Sequence, residues 1–521
     1  MGNETIFDYK YMNDKDIHKV DKEYTFPLKN VSFSSPIVSD MKLSNGIGGY
    51  FHTSYKYKNG HTHLLGRGFI GFEQFIQKDE IKGHRTTRVY EDSPYRYIPG
   101  LKKEIIDNKG SKLSETEYQN KLRGFGFGAS FFVPECIKNT TYDFHSNKVL
   151  STSDIMKQYD NYGNVTKEIQ IINGKDSIVT TNRYDNLSQM DMWILGIKKS
   201  STIETKRDDH PGIRQDIVYE YETDNIHIKK IERRVDGNTL YTESFKYDLC
   251  GNLIERTKTA KEESRTEYIE YDNKYRFKTK FTDAENHTTS YEYNEATTEM
   301  YKENGADGMV MFYNYDAFLN TYMTRRINHT KTNTLRWCAT MEDVPMYAKY
   351  CSYVHETGKS VQLTYYDGLG RELRKQTEVF GNKIVYQDKI YDSVGNLAKE
   401  SEPYFKGEPI NWIEFRYSWA TGELLEKKFP DNTSIIHSYN GSIETGKITR
   451  TTDRIGNETE KVISVYGELI KATDAKGNNT TYTYNSQGKC IQIEGVTTQH
   501  PYNLVRALMF LLLVKECVNN T

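Results

Sequence analysis

Aspartate is the residue whose placement in this 521-residue chain first suggests chemistry. It follows a tyrosine and stands three positions before a glycine: Tyr159-Asp160 with Gly163, Tyr247-Asp248 with Gly251, Tyr366-Asp367 with Gly370, Tyr391-Asp392 with Gly395. Recurrent carboxylates admit two enzymatic readings: a pair flanking a glycosidic bond as acid and base, or an aspartate pair that cleaves its own chain. Turn geometry offers a third account. Aspartate at the first turn position accepts a hydrogen bond from the backbone N–H two residues on, and glycine three positions later takes the φ > 0 conformation that β-branched residues resist. That role uses each recurrent aspartate and leaves none over for catalysis, so a non-enzymatic chain is expected.

Other residue sets of chemical interest have structural readings beside them. Gly66, Gly68 and Gly71 in "GRGFIG" match a dinucleotide fingerprint, but no sustained helix pattern follows, and glycines at bends and bulges of a curved sheet account for them. His52, His61 and His63 could approach one another around a metal. No carboxylate or cysteine joins them at ligand spacing, and exposed strand histidines are the competing reading. "RGFGFGASFF" (Arg123 to Phe132) reads as strand with close backbone approach. No GxSxG elbow, HExxH helix or phosphate loop occurs. Neither a cofactor nor a metal is expected. Trp337, Trp412 and Trp419 could stack on sugar rings, which makes a carbohydrate-binding or adhesion module the second reading, with Trp412 and Trp419 as its contacts.

The elements that must position these residues are short strands in a repeat. Tyrosine before Asp, Asn or Ser at a turn recurs at Tyr159, Tyr184, Tyr247, Tyr271, Tyr293, Tyr315, Tyr366, Tyr391, Tyr417, Tyr439 and Tyr484. Many of the intervals are about 22 to 26 residues, a period that marks a repeat architecture. A second limb lies between them: "TDAENHTTSYEYN", "TDRIGNETEK" and "TDAKGNNTTYTYN", the last with Asp474 and Gly477. Each unit therefore reads as strand, Asp-x-x-Gly turn, strand. "TYTYN" puts Tyr482 and Tyr484 on one strand face, and stacked repeats would line such tyrosines into ladders. "YDAFLNTYM" places Leu319 where glycine belongs, and "YNGSIETGK" shifts its glycines. Such degeneracy suits an array in which each unit touches only its neighbours.

Composition agrees with a sheet that has water on both sides. The chain has 41 Tyr and 22 Phe but only 11 Pro, and tyrosine favours strands and wet surfaces. Mean hydropathy is −0.77, too polar for a thick apolar core, yet the aromatic content is too high for disorder. Seventy basic against 72 acidic residues leave a formal charge of −2, so no global field recruits nucleic acid or anionic lipid. Six cysteines at 136, 250, 338, 351, 490 and 517 form no CxxC; they are expected to be free and scattered.

The repeats "YDNYGNVTKE", "YDLCGNLIERTK", "YDGLGRELRK", "YDSVGNLAKESEPYF" and "TDAKGNNTTYTYN" resemble the YD-repeat, or Rhs, family, which includes the B/C components of insecticidal toxin complexes and the teneurin shell. "FSSPIVSD", "GRGFIGFE" and "MWILGIKKSS" are similar to segments leading into the repeats of the bacterial toxin-complex B-type, SpvB-associated branch. The resemblance covers roughly residues 31 to 495. It implies an all-β spiral of hairpins that closes into a hollow shell, enclosing a polypeptide such as a toxic effector before delivery. Its implied partners are a polypeptide cargo or a second shell subunit.

The chain departs from that pattern in two ways. Many family members end in a self-cleaving aspartate site with a DPxGL-like signature, and no DP dipeptide occurs here. The last repeat is followed by "PYNLVRALMFLLLVKECVNNT". Its apolar stretch, Leu504 to Val514, is shorter than the roughly 20 residues a membrane span needs. A capping helix and a junction or frame-shifted end of a longer gene are the two accounts of it. The expected organisation is an N-terminal segment (1–30), a leading β region (31–135), the repeat array (136–495) and an apolar tail (496–521). The start lacks a signal-peptide pattern, so secretion or surface display by a non-classical or toxin-delivery route is expected, with the chain cytoplasmic before release.

Overall fold

The computed structural model describes residues 4–91, 99–124, 130–189, 192–207, 210–338, 343–381 and 383–495. The tail from 496 onward, Cys517 and the centre of the Arg123 to Phe132 stretch lie outside these residues. Over the described residues the chain is all-β. Strands such as Thr288–Tyr293 (TTSYEY) and Asn479–Tyr484 (NTTYTY) are built from β-branched and aromatic residues, which fit a pleated surface. Short Asp, Asn and Gly turns allow only antiparallel neighbours, and consecutive strands pair that way along the meander from Pro36–Ser44 to Cys490–Gly495. One branch interrupts it: Lys383–Tyr391 pairs with both Leu397–Ser401 and Tyr404–Phe405. The meander passes residues 135–136 inside the strand Ser130–Tyr142. Upstream, Thr5–Tyr11 lies along Pro36–Ser44, and His18–Lys19 runs parallel to Tyr50–His63.

The sheet is long, is not closed into a barrel, and returns over itself. The strand Ser434–Ser442 touches Val149–Tyr159, twenty-three strands earlier in the chain. At about 4.8 Å per strand step, a coil of that many strands is about 110 Å around and about 35 Å across. Its exposure agrees with a thin wall. The accessible surface is 32300 Å², whereas a compact protein of 60.7 kDa exposes about 20,000 Å².

Two small groups of buried side chains stand out among others spread along the sheet. One gathers Cys338, Cys351 and Tyr365, packed against Val344, Ala348 and Leu363. The other lies near the N-terminus, where Met12, Ile17, Leu28 and Tyr57 are buried and His18 and Tyr57 pack on Phe72 at ring distances of 5.6 and 4.5 Å. Along the rest of the sheet most side chains are half-buried.

Candidate functional site

The repeat turns share one hydrogen-bond pattern. Asp160 Oδ1 accepts the N–H groups of Tyr162 and Asn164, both at 2.9 Å. Asp248 accepts those of Cys250 and Asn252, Asp367 those of Leu369 and Arg371, Asp392 those of Val394 and Asn396, and Asp474 those of Lys476 and Asn478. Gly163, Gly251, Gly370, Gly395 and Gly477 all have φ between 81 and 93°. At Asp160 and Asp248 burial pushes the carboxyl up, but the donated hydrogen bonds outweigh it and hold the acid below its usual range. Asp474 is lowered chiefly by its bond from Asn478.

A third participant was not singled out in the sequence, although "GN" in the motifs spells it. The residue after the turn glycine is Asn164, Asn252, Asn396, Asn457 or Asn478, and its Nδ2 donates to the other carboxylate oxygen of the same turn's aspartate. Each carboxylate is thus held by at least three donors. In the copy with Leu319 in the glycine place, Asp316 still accepts Phe318 and Asn320 N–H groups, and Leu319 is held at φ 63°.

The tyrosines act through their hydroxyls more than through ladders of rings. Tyr159, Tyr247, Tyr315, Tyr439 and Tyr484 donate to the carbonyls of Pro134, Ile228, Met300, Leu424 and Leu469, each on the neighbouring strand, at 2.6–3.0 Å. Ring stacks occur locally, as at Tyr350 with Tyr366 (5.2 Å) and Phe277 with Tyr293 (4.9 Å). Tyr184 is a correction: it lies inside the long strand Asp176–Gln189, at a register shift, and precedes no turn. Tyr439 also sits within its strand, and the turn comes later, at Gly446.

The seam where the second coil rests on the first gives these turns a further use. On one side stand first-coil turns near Asn45, Gly83, Asp143 to Lys148 and Lys175, together with Arg207 and Pro211. On the other stand turns of the second coil. Arg371, in the place of the usual asparagine, holds Asp367 Oδ2 (Nε, 2.7 Å) and donates to the Asn45 carbonyl (Nη2, 2.5 Å); Asp367 is fully buried. A Cβ on Gly46 would come within 2.8 Å of Asp367 Oδ2, so the close approach requires glycine there. His84 Nε2 lies 2.6 Å from the Ala420 carbonyl, and the Val149 carbonyl accepts the Ile443 N–H. His145 lies 3.4 Å from Glu423. Burial pushes Glu423 up, but Lys447, Thr421 and His145 hold its carboxyl below the usual range.

The tightest clasp is further along. Arg207 donates to both carboxylate oxygens of Glu468 (2.7 and 3.0 Å) and its guanidinium lies 3.8 Å from the Tyr466 ring centre. Tyr466 donates to Asp176 at 2.6 Å, and burial together with that bond pushes its phenol well up. Ser486 donates to the Pro211 carbonyl. The residue after the turn glycine is charged at Arg371, Glu423 and Glu468, three of the turns that meet the coil below.

The remaining sequence candidates fall elsewhere. His52 pairs with Asp40 (2.9 Å), but His61 and His63 are buried, 1% and 4% exposed, where exposed strand histidines were the expectation. His61 stacks on Tyr24 (4.4 Å), and its Nδ1 lies 2.9 Å from the Asn59 carbonyl. Among the described residues no three His, Cys, Asp or Glu side chains are grouped to hold a metal. Gly66 falls in a hairpin turn, and Gly68 and Gly71 lie on the strand Gly68–Asp79, where the register shifts opposite His61 and Thr62. Cys338 and Cys351, expected to be scattered, meet in one buried cluster because their strands pair.

Trp412 opens the strand Trp412–Tyr417 and lines a cavity of about 310 Å³ with Ile47, Met346, Tyr347 and Tyr391. The polar groups of that cavity are engaged: Arg374 grips Asp388 (2.6 and 2.8 Å), which also accepts from Tyr404. Trp419 is 57% exposed past the other end of the same strand, about 20 Å away at 3.3 Å per residue. The two tryptophans do not form one platform.

No protein-family model matches the chain, and no curated protein matches it in sequence. Solved structures do match in fold. The chain is similar to TcdB2-TccC3 without its hypervariable C-terminal region, with a TM-score of 0.72 at 11% identity over 95% of this chain and 38% of that one. It is similar to TcdB2-TccC3-Cdc42 (TM-score 0.71, 11% identity, 95% and 39% covered). A Photorhabdus luminescens Tc holotoxin pore with mutated TccC3 also matches, at TM-score 0.71 and 11% identity over 95% and 38%. The chain therefore has the fold of these toxin-complex chains and spans somewhat over a third of their length.

Proposed function

We propose that the chain is a non-enzymatic shell segment that encloses or presents a polypeptide in a bacterial toxin or competition system and acts outside the cell that makes it. The observation that carries this reading is the coil docked on itself, whose strand count implies a ring about 35 Å across with both faces of a polar sheet wet. The fold shared with toxin-complex chains supports it. The mechanism is steric: a client held inside a wall of hydrogen-bonded strands is kept from proteases and from its targets. Each turn aspartate already accepts several hydrogen bonds, which favours the non-enzymatic reading over an acid–base pair.

The partner this geometry fits is more sheet of the same kind. The second coil reaches Ser486 above Pro211. The next first-coil turns, at Asp236–Gly237, Lys261, Asp283 to His287 and Gly305 to Met309, have no part of the second coil above them among the described residues. Among the described residues the strand Cys490–Gly495 pairs with Asn479–Tyr484 alone. A second shell subunit would add its first strand there and seat its turns on that row.

Enclosure is tested by fusing an unfolded, protease-sensitive polypeptide to the C-terminus and comparing its digestion with the same polypeptide on a compact carrier. The reading expects slower digestion on this chain until denaturant opens the coil. Equal rates would overturn it.

A further inference from the structure

The shell reading leaves one buried nucleophilic pair without a role. Cys338 follows the strand His329–Trp337, and Cys351 is the second residue of its antiparallel neighbour Tyr350–Glu356. Arg336 stands opposite Cys351 and Trp337 opposite Tyr350, and the Cys338 N–H donates to the Lys349 carbonyl at 3.0 Å. That bond holds Cys338 just past the last paired residue, and it packs with Cys351 in one buried cluster. Both are closed to solvent, 5% and 0% exposed, against Tyr365. The two thiols lie near enough to act on one another, which adds to the rise of the Cys338 thiol. The chain between them returns through Val344 and Ala348, which pack on the pair, and carries Tyr347 against Gly48 of the coil below.

We propose that Cys338 and Cys351 form a redox modification site: a low-molecular-weight disulfide such as oxidised glutathione converts them to an intramolecular disulfide that ties down the loop at the start of the second coil. Cys351, beside Arg336, loses its proton, and its thiolate attacks one sulfur of the small disulfide. That S–S bond breaks, the departing thiolate takes up a proton, and glutathione remains on Cys351 as a mixed disulfide. Cys338 then gives up its proton and attacks the Cys351 sulfur, expelling the second glutathione as a thiol. Two protein thiols are oxidised and one small disulfide is reduced to two thiols.

Burial pushes both cysteine thiols up, Cys338 to about 11. Reaction therefore proceeds through openings of the 343–349 loop and is slow beside that of the exposed Cys250 and Cys490. The sulfurs must close from contact to about 2.05 Å. The end of the strand can follow, because Cys338 lies beyond its last paired residue.

The test uses the full chain. It is incubated with oxidised glutathione at neutral pH, remaining thiols are blocked, and trypsin is added without reductant. Cleavage after Arg336, Lys349 and Lys359 puts the two cysteines on separate peptides, Trp337 to Lys349 and Tyr350 to Lys359. The proposal expects these two peptides joined, two hydrogens lighter than their sum, while Cys250 and Cys490 carry separate glutathiones. Recovery of both peptides unlinked after complete oxidation of Cys250 and Cys490 would overturn it. In Cys338→Ser, glutathione is expected to stay on Cys351, since nothing can expel it. A Cys351 that never takes up glutathione, in a chain that still folds, would contradict the assigned order.

Discussion

Arg207 concentrates more of the seam on one side chain than any other residue described above. It pairs with Glu468 at 16% and 15% side-chain exposure and covers the ring of Tyr466. Partly buried, hydrogen-bonded pairs with a stacked guanidinium exceed the worth of exposed ion pairs, so Arg207→Ala is expected to cost about 1–3 kcal/mol. The loss should be local. Hydrogen exchange is expected to rise in residues 464–488 and around 176, with little change at 247–315, and uniform destabilisation would contradict a role in the seam. Lysine at this position keeps the charge but loses the guanidinium plane stacked on Tyr466, and is expected to recover only part of the protection.

His18 sets a different dependence at the same scale. Its Nδ1 lies 2.9 Å from the Met12 carbonyl and its Nε2 accepts the Gly60 N–H at 3.0 Å, which fixes a neutral ring protonated on Nδ1. Burial lowers its pKa from the ordinary 6.5, against a smaller raising effect of the Met12 bond. A histidine lowered on folding contributes stability that is fully present above its unfolded pKa and is lost as pH falls below it. Protection from exchange in residues 5–19 and 57–60, taken relative to each amide's intrinsic rate, is therefore expected to fall below about pH 6.5. His18→Gln should flatten that part of the profile, and an unchanged profile would show that another group governs it.

At the scale of the element, the turn decides whether a hairpin forms, and one turn carries an identifiable fault. Leu319 occupies a left-handed position that its side chain resists by about 1–2 kcal/mol, partly offset in the unfolded chain, where glycine is freer. Leu319→Gly is expected to raise stability by about 0.5–1 kcal/mol, read as slower exchange in Val310–Tyr315 and Thr321–Arg326. A loss would mean that Leu319 packs against something that matters more than its backbone. The sequence made this fault visible because Asp and Gly act over three residues, within reach of local reading. It also made the asparagine visible, but the reading stopped at glycine, since a residue after a turn has no local duty until the second carboxylate oxygen is considered. Tyr184 misled for the same reason in reverse. "YDN" looks like a turn, yet "LSQ" follows without glycine, and the pairing with Met192–Lys206 carries the strand onward.

At the scale of the whole molecule, strand class and repeat were legible because their period is short, and thin walls were legible in polarity. What the sequence could not disclose is which residues meet across one full coil, some 260 to 350 positions apart. Gly46 under Asp367 and Arg207 under Glu468 follow from how many strands fill a turn of the spiral, and no local pattern encodes that number. A trace of it exists in the charged residues that replace asparagine at Arg371, Glu423 and Glu468. Each falls at a turn that meets the coil below.

A sheet of this length resting on its own first coil should wind round an open centre. Electron microscopy of the isolated chain tests this most directly. End-on views are expected to show an open centre in a ring about 35 Å across from wall to wall, with the wall doubled in side views where the second coil overlaps the first. Filled, compact particles without a central opening in any view would contradict it.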